Sequence, residues 1–259
     1  MRRIAFAAVA ALLLGACGGS SSERRDVAVV RVVTSGGFTA ESRPPAHLPT
    51  VSVFGDGRVI VLGPTTLEFP GPALPNLQEF RLIRMGLAHV IDGARDAALL
   101  DDPPPDFGDP GITDQPTTTV TVRVDGRSRT IDVYALGFSD GLTLDQRENR
   151  ARLDRFIQLA ADPVALLPVV VPGSERRYDP VAVAVLVRPS GATDGDTRAW
   201  PLGDLADTDC FVLGCSDAAI ALDAARTAHE GDAWQSAGAT YSVIFRPLLP
   251  DEHNCEDVS

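Results

Sequence analysis

The sequence contains no lysine: its 23 basic residues are all arginine, against 35 acidic residues, and the net charge is −12 at neutral pH. We attribute the missing lysine to the coding bias of a high-GC genome. A chain this acidic lacks the excess of positive charge that binds nucleic acid or adheres to anionic lipid headgroups. The composition therefore argues against a nucleic-acid partner, and attachment to a membrane would have to come from a lipid.

The apolar run near the N-terminus is also too short to cross a bilayer. As a helix, residues 4–16 would span about 20 Å at 1.5 Å per residue, whereas a hydrocarbon core is about 30 Å thick. We therefore do not expect a permanent transmembrane span.

What this run does carry is the pattern of an export signal. Arg2 and Arg3 form a basic region, residues 4–14 an apolar region, and Ala16 is a small residue before a cleavage point. Residues 14–17 read L-G-A-C, and the whole stretch resembles the lipobox signal of bacterial lipoproteins. The resemblance implies cleavage before Cys17, acylation of its thiol with chains such as palmitate, and anchoring at the extracytoplasmic face of the cell membrane. The alternative is an ordinary secretory signal with a chance cysteine.

Removal of residues 1–16 as a signal peptide leaves 243 residues with a net charge of −14, enough for one large domain or two small ones. Gly18–Glu23 reads G-G-S-S-S-E, which predicts a flexible tether over residues 17–25. We expect a single globular body over residues 26–250, with 171–177 as the boundary if it divides, and a C-terminal tail over 251–259.

The body is predicted to be an α+β fold, mainly antiparallel sheet built from β-hairpins with about three packing helices. Two Asp-Gly pairs, Asp56-Gly57 and Asp125-Gly126, predict hairpin turns because Asp-Gly tolerates the positive φ that a tight turn requires. The predicted strands cover residues 27–34, 50–54, 58–62, 77–83, 117–124, 128–136, 178–188, 210–213 and 240–246. The predicted helices cover residues 86–99, 144–161 after a Thr143 cap, and 216–229 with Ser216 as the cap.

A second resemblance follows from the order of these elements. Pro49 introduces a hairpin closed by Gly55-Asp56-Gly57, a helix follows, and Asp114-Gln115-Pro116-Thr117 leads into an antiparallel pair. In this respect residues 27–160 resemble an uncharacterised bacterial envelope domain, whose members carry a C-P-x-Y element before the first hairpin. The present chain keeps Gly36 and Gly37 in comparable places but lacks those cysteines and that tyrosine. The resemblance brings no known activity.

The end of the chain, R-P-L-L-P-D-E followed by a cysteine, completes a resemblance of the whole sequence to a group of unassigned lipoproteins from high-GC bacteria. With Cys17 lipidated, Cys210, Cys215 and Cys255 remain, and an exported protein is expected to pair two of them. If residues 211–213 are extended, Cys210 and Cys215 lie about 16 Å apart, beyond the limit of about 7 Å between bridged Cα atoms. Cys255 is then the partner of one of them. The resemblance implies a Cys210–Cys255 disulfide, and a Cys210–Cys215 bridge across a turn is the alternative.

One segment suggests nucleophilic catalysis. Gly137-Phe138-Ser139-Asp140-Gly141 is a G-x-S-x-G sequence between a strand and a helix, as a nucleophile elbow requires, and His229 or His253 could act as the base. Against this, the preceding strand belongs to an antiparallel hairpin, two residues separate the turn from the helix, and no oxyanion-hole sequence is visible. A glycine-flanked surface turn is the simpler interpretation, and a serine hydrolase using Ser139 stays as the alternative function.

Two further groups suggest a metal site. Calcium prefers several oxygen ligands, which an acidic loop could supply, but the spacing here matches no calcium loop and three consecutive prolines oppose wrapping. A solvated loop is the preferred interpretation of these aspartates, which are Asp101, Asp102, Asp106, Asp109 and Asp114. His253 lies two residues before Cys255, but the four histidines, at positions 47, 89, 229 and 253, give no ligand spacing. We expect no metal and no other cofactor.

The expected function is therefore a non-catalytic envelope lipoprotein. It would present a concave sheet or a loop surface to a cell-wall component, a protein or a small ligand.

Overall fold

The computed structural model describes residues 26–37, 47–162, 168–190, 195–205 and 208–258. The predicted signal peptide, Cys17 and the predicted tether lie outside these residues. Within them, two mainly antiparallel sheets and three α-helices confirm the predicted α+β fold.

The first sheet has seven strands and two helices. All neighbouring strands are antiparallel, in the order β6-β5-β1-β2-β3-β4-β7, and tight hairpins join β2 to β3 and β5 to β6. The strands are β1 (Ala28–Gly36), β2 (Val51–Phe54), β3 (Arg58–Leu62), β4 (Leu77–Arg81), β5 (Pro116–Val124), β6 (Arg127–Tyr134) and β7 (Arg176–Arg177), and the helices are α1 (Arg84–Asp96) and α2 (Leu144–Ala161).

Local sequence explains the turns and the caps of this half. Asp125 and Gly126 both have positive φ, 52° and 75°, which is the conformation that a two-residue hairpin turn needs. Thr143 caps α2 as predicted: its hydroxyl accepts from the Gln146 amide at 3.3 Å, and the Gln146 side chain accepts from the Thr143 amide at 2.9 Å. Alternate valines of β1, β2 and β5 then form a core with the buried faces of α1 and α2.

The second sheet has five strands and one helix. Its order is β10-β8-β12-β11-β9, and the β11–β9 pair is parallel. Trp200, Trp234 and Phe245 pack together in its core with ring centroids 5.3–6.2 Å apart, Trp200 stacked on Phe245 and Trp234 edge-to-face to both. The strands are β8 (Ala182–Pro189), β9 (Thr197–Ala199), β10 (Cys210–Gly214), β11 (Ala233–Ser236) and β12 (Ala239–Pro247), the helix is α3 (Cys215–Arg226), and a short 3-10 helix covers Cys255–Val258.

The structure corrects three sequence predictions in this half. The helix predicted over 216–229 begins at Cys215. Its N-cap residue is Gly214, with no side-chain hydrogen bond, so the prediction that Ser216 caps the helix was wrong. The strand predicted over 178–188 begins only at Ala182, because Asp179-Pro180 interrupts the ladder. The short strands β9 and β11 were not predicted. The chain passes between the sheets immediately after β7, close to the expected boundary at 171–177.

The end of the chain packs onto the body instead of forming a tail. Cys210 and Cys255 form the predicted disulfide, with Cα atoms 6.2 Å apart, which rules out the Cys210–Cys215 alternative. Val258 is buried against Ala184 and Leu248. The disulfide therefore fastens the final 3-10 helix to the edge strand β10.

Candidate functional site

A cleft of about 670 Å³ lies where the two sheets meet. One wall is the loop of residues 63–76 between β3 and β4 of the first sheet, and the opposite wall is formed by the C-terminal turn of α3 and by β12 of the second sheet. Concave sites of about 300–1,000 Å³ are typical of small-molecule binding. The cleft is therefore the candidate site.

The loop of residues 63–76 is held at both of its ends. At its base, the Gly63 amide donates to the Asn76 carbonyl at 2.7 Å, and the Asn76 side-chain amide donates to the Pro64 carbonyl at 2.9 Å. At its far end, the Glu230 amide of the second half donates to the Gly71 carbonyl at 2.7 Å. The loop is thus a compact bridge between the two sheets.

The walls of the cleft are mainly apolar. Leu48, Leu74 and Phe245 line it, and Leu74 belongs to the core of the second sheet although it comes from the first half of the chain. Phe69 also lines the cleft, yet it is 96% exposed, and its loop neighbour Leu67 is fully exposed. An exposed phenylalanine at the mouth of an apolar cleft is typical of a surface that is covered when the cleft is occupied.

A second cavity of about 270 Å³ adjoins the cleft. Leu74, Pro75, Arg177 and Arg226 line both spaces, so the two share a wall. The Tyr178 ring lines the second cavity, burial raises the pKa of its hydroxyl, and that hydroxyl donates to the Leu248 carbonyl at 2.8 Å. Tyr178 therefore supports the wall from behind as a neutral donor.

A buried ion pair lies beneath the cleft. Arg246 of β12 is 1% exposed and contacts both carboxylate oxygens of Glu252, at 2.9 and 3.0 Å. Its Nη2 also donates to the His47 carbonyl at 3.2 Å, while its buried Nε has no partner among the residues described. Arg31 of β1 reaches Asp251 at 2.5 Å and Glu252 at 3.9 Å. These charges join the two sheets and fix the floor of the cleft.

The far end of the bridge is fixed by a carboxylate. Asp232 accepts hydrogen bonds from the Arg198 guanidinium at 2.6 Å and from the His229 amide at 3.0 Å. Burial opposes the charge of Asp232, but these hydrogen bonds outweigh it and hold the pKa of the carboxyl below its usual value. His229 in turn contacts Glu68 of the bridge, with Nε2 and Oε1 3.5 Å apart.

Ser139 lies in an exposed turn that is not arranged as a nucleophile elbow. Its backbone is not among the positive-φ positions of the structure, and in the described residues its side chain has no hydrogen bond to a histidine. The carbonyls of Ala135 and Phe138 in this turn accept from the buried Arg150 guanidinium, at 2.8 and 3.3 Å. The geometry gives the hydrolase alternative no support.

The aspartates of the acidic loop are engaged separately. Asp106 accepts from the Gln146 side chain and the Gly108 amide, which lower the pKa of its carboxyl, and Asp109 accepts from the Gly111 amide. Asp102 lies 3.7 Å from Arg129, whereas Asp101 and Asp114 are exposed. Across the described ranges, no group of three or more His, Cys, Asp or Glu side chains is placed to hold a metal ion.

The remaining histidines do not form a site either. His253 is exposed, and the thiol of Cys255 is consumed by its disulfide, so the pair suggested by their spacing is not available to a metal. His89 is exposed on α1.

The cleft itself was not visible to sequence reasoning, because it depends on how the two sheets meet. The one available signal was the loop of residues 63–76, in which prolines surround the apolar residues Leu67 and Phe69.

In the part of the chain that the structure describes, no helix combines the length and the apolar character of a membrane span. No protein-family model, no curated protein and no solved structure matches the chain.

Proposed function

We propose that this protein is a lipid-anchored lipoprotein on the extracytoplasmic face of the cell membrane, and that it binds a largely apolar small ligand in the cleft between its sheets without catalysing a reaction. The observation that carries the binding proposal is the exposed Phe69 at the mouth of an apolar cleft of about 670 Å³. The signal pattern that ends at Cys17 carries the anchoring proposal.

Burial of the cleft mouth supplies the driving force for binding. Covering a phenylalanine side chain with an apolar group contributes about 1.5–3 kcal/mol, and Phe69 lines the cleft while open to solvent. Because the bridge is hydrogen-bonded at its base and at its far end, its backbone need not be ordered when the ligand binds. A preformed wall lowers the entropic cost of binding.

The binding proposal is tested with a neutral apolar dye, N-phenyl-1-naphthylamine. We expect Phe69→Ser to weaken dye binding by about tenfold, because this change removes an apolar wall without touching a charge. Phe138→Ser is the matched control, since Phe138 is 45% exposed and lies outside the cleft. Equal dye binding by the two variants, or no binding by the unaltered protein, would exclude the cleft as an apolar site.

The anchor is tested by mass spectrometry of the N-terminal peptide of the protein extracted from membranes. We expect a peptide that begins at Cys17 and carries two or three acyl chains, since one chain holds a protein to a bilayer only marginally. With Cys210 and Cys255 paired, the competing fate of the Cys17 thiol is a disulfide with Cys215. An unacylated peptide, or one linked to Cys215, would contradict the anchor.

A further inference from the structure

We infer that the ligand of the cleft is a single-chain amphiphile with one carboxylate, and that the carboxylate pairs with Arg177. The inference rests on the proposed function, because it assigns a chemical class to the same cleft. It starts from a charge that the protein does not neutralise.

Arg177 stands out from the arginines around it. Arg176 contacts Glu79 at 3.0 Å, Arg226 contacts Asp223 at 3.3 Å, and Arg246 is paired with Glu252. Within the described ranges, the Arg177 side chain has neither a hydrogen bond nor an ion pair. Among the described residues, other arginines such as Arg147 and Arg188 also have no carboxylate partner, but they lie outside the cleft and the adjoining cavity.

The position of Arg177 connects this charge with the apolar walls. It lines both the cleft of about 670 Å³ and the cavity of about 270 Å³, so its side chain lies at their shared wall. Leu62 and Ile244 line the larger space, and Leu77 and Leu222 line the smaller one. A ligand whose charged group meets Arg177 can therefore extend an apolar chain along either side.

The charges of the cleft favour a monoanion over other head groups. Guanidinium binds carboxylate through two parallel hydrogen bonds, and Arg177 is the lining arginine that has no such partner. Three carboxylates also line these spaces: Glu68 contacts His229, Glu230 is engaged with a partner, and Asp179 borders the smaller cavity. A phosphate dianion would leave a second charge unmatched, and a neutral head group would leave the guanidinium unpaired.

The experiment measures displacement of N-phenyl-1-naphthylamine by dodecanoate, dodecanol and dodecyl phosphate. The full chain with Cys17→Ser is used throughout, since it is not acylated and needs no detergent. We expect dodecanoate to compete at about tenfold lower concentration than dodecanol. In Arg177→Gln, dodecanoate should fall to the level of dodecanol, while dodecanol itself is unchanged.

Two further variants separate charge from geometry. Arg188→Gln removes the same charge from an exposed position of β8 outside both spaces, and it should keep the preference for dodecanoate. Arg177→Lys keeps the charge but loses the bidentate contact, so it should retain part of the preference. Thermal unfolding of each variant confirms that the fold is intact.

The outcomes separate this inference from the function beneath it. If the dye binds but dodecanoate and dodecanol compete equally, or if Arg177→Gln keeps the preference, the carboxylate assignment is wrong and the apolar site stands. Stronger competition by dodecyl phosphate than by dodecanoate would also overturn the assignment. If the dye does not bind at all, the proposed function fails first.

Discussion

Among the described residues, each half of the molecule buries one arginine, and the two are stabilised in opposite ways. Arg150 of α2, 3% exposed, donates to five backbone carbonyls at 2.6–3.3 Å, those of Phe107, Gly108, Tyr134, Ala135 and Phe138. Arg246 of β12 is instead held mainly by the carboxylate of Glu252. Burial lowers the pKa of Arg150, and the charge of Asp109 partly opposes this shift.

The two buried arginines connect different parts of the molecule. Arg150 ties the loop before β5 and the turn after β6 to one helix of the first half, so its contacts are local to that half. Arg246 and Glu252 lie between the two sheets, where Arg31 and Asp251 extend the network. Arg150 therefore holds a loop and a turn of the first half in place, whereas Arg246 supports the floor of the cleft.

The largest effect is expected from Arg150→Met. Five carbonyls lose their donor at once, and each buried polar group left unsatisfied costs about 1–3 kcal/mol, so the free energy of unfolding should fall by about 5 kcal/mol. Urea denaturation measures the loss. Arg147→Met, an exposed change on the same helix, should stay within about 0.5 kcal/mol. Similar losses in both variants would show that the carbonyl contacts do not stabilise the fold.

A smaller effect, with a different signature, is expected at the second arginine. Glu252→Gln leaves the buried Arg246 without its carboxylate and should cost about 3 kcal/mol. The double variant Arg246→Met with Glu252→Leu should cost less than either single change, because an apolar pair replaces the ion pair without leaving a charge behind. If urea denaturation shows that the losses of the two single variants add in the double variant, Arg246 and Glu252 do not act as a pair. Arg246 would then resemble Arg150, which has no single partner that could be substituted with it.

The third effect depends on pH and belongs to the second half alone. At pH 7, Asp232→Asn should cost about 1–2 kcal/mol, because the hydrogen bonds to a charged acceptor are weakened. The folded pKa of Asp232 is lowered, so its stabilisation is complete above the unfolded value of 3.8 and is lost as the pH falls through the lower folded value. Urea midpoints of both proteins between pH 7 and pH 2 should converge at the acidic end. A constant difference would contradict the assignment.

The smallest effect returns to the first half. Thr143→Ala removes the N-cap of α2 and should cost about 1 kcal/mol. Ser128→Ala, an exposed change in β6, serves as its control. Because α2 also carries Arg150, hydrogen exchange should show added opening of the turn at residues 135–139 in Thr143→Ala. Unchanged exchange there would mean that the cap and the arginine act independently.

Sequence reasoning succeeded where structure is determined locally. The Asp125-Gly126 turn and the Thr143 cap depend on a few neighbouring residues, and both were predicted. The parallel pair β9–β11 was missed because its strands have three and four residues and no long apolar run. The later start of β8 could have been predicted from Pro180, because proline has no amide hydrogen to donate to a strand ladder. The apolar run after it led us to predict a longer strand.

The site depended on contacts that no local pattern encodes. Arg150 occupies a helix position that would ordinarily be solvated, and only the carbonyls of two distant loops explain its burial. Arg177 looks like any surface arginine until the structure places it between two cavities. The disulfide was the exception, since a resemblance implied it and the structure confirmed it.

The place of β1 in its sheet has a mechanical consequence for the proposed membrane anchor. Strand β1, which follows the predicted tether, is an interior strand with β2 on one side and β5 on the other, and the Ala28 amide at its start donates to Asp251 at 3.1 Å. If the protein is anchored as proposed, tension on its N-terminal side would load two hydrogen-bonded ladders in parallel. An edge strand would peel away one bond at a time, whereas this strand must be sheared from both neighbours together.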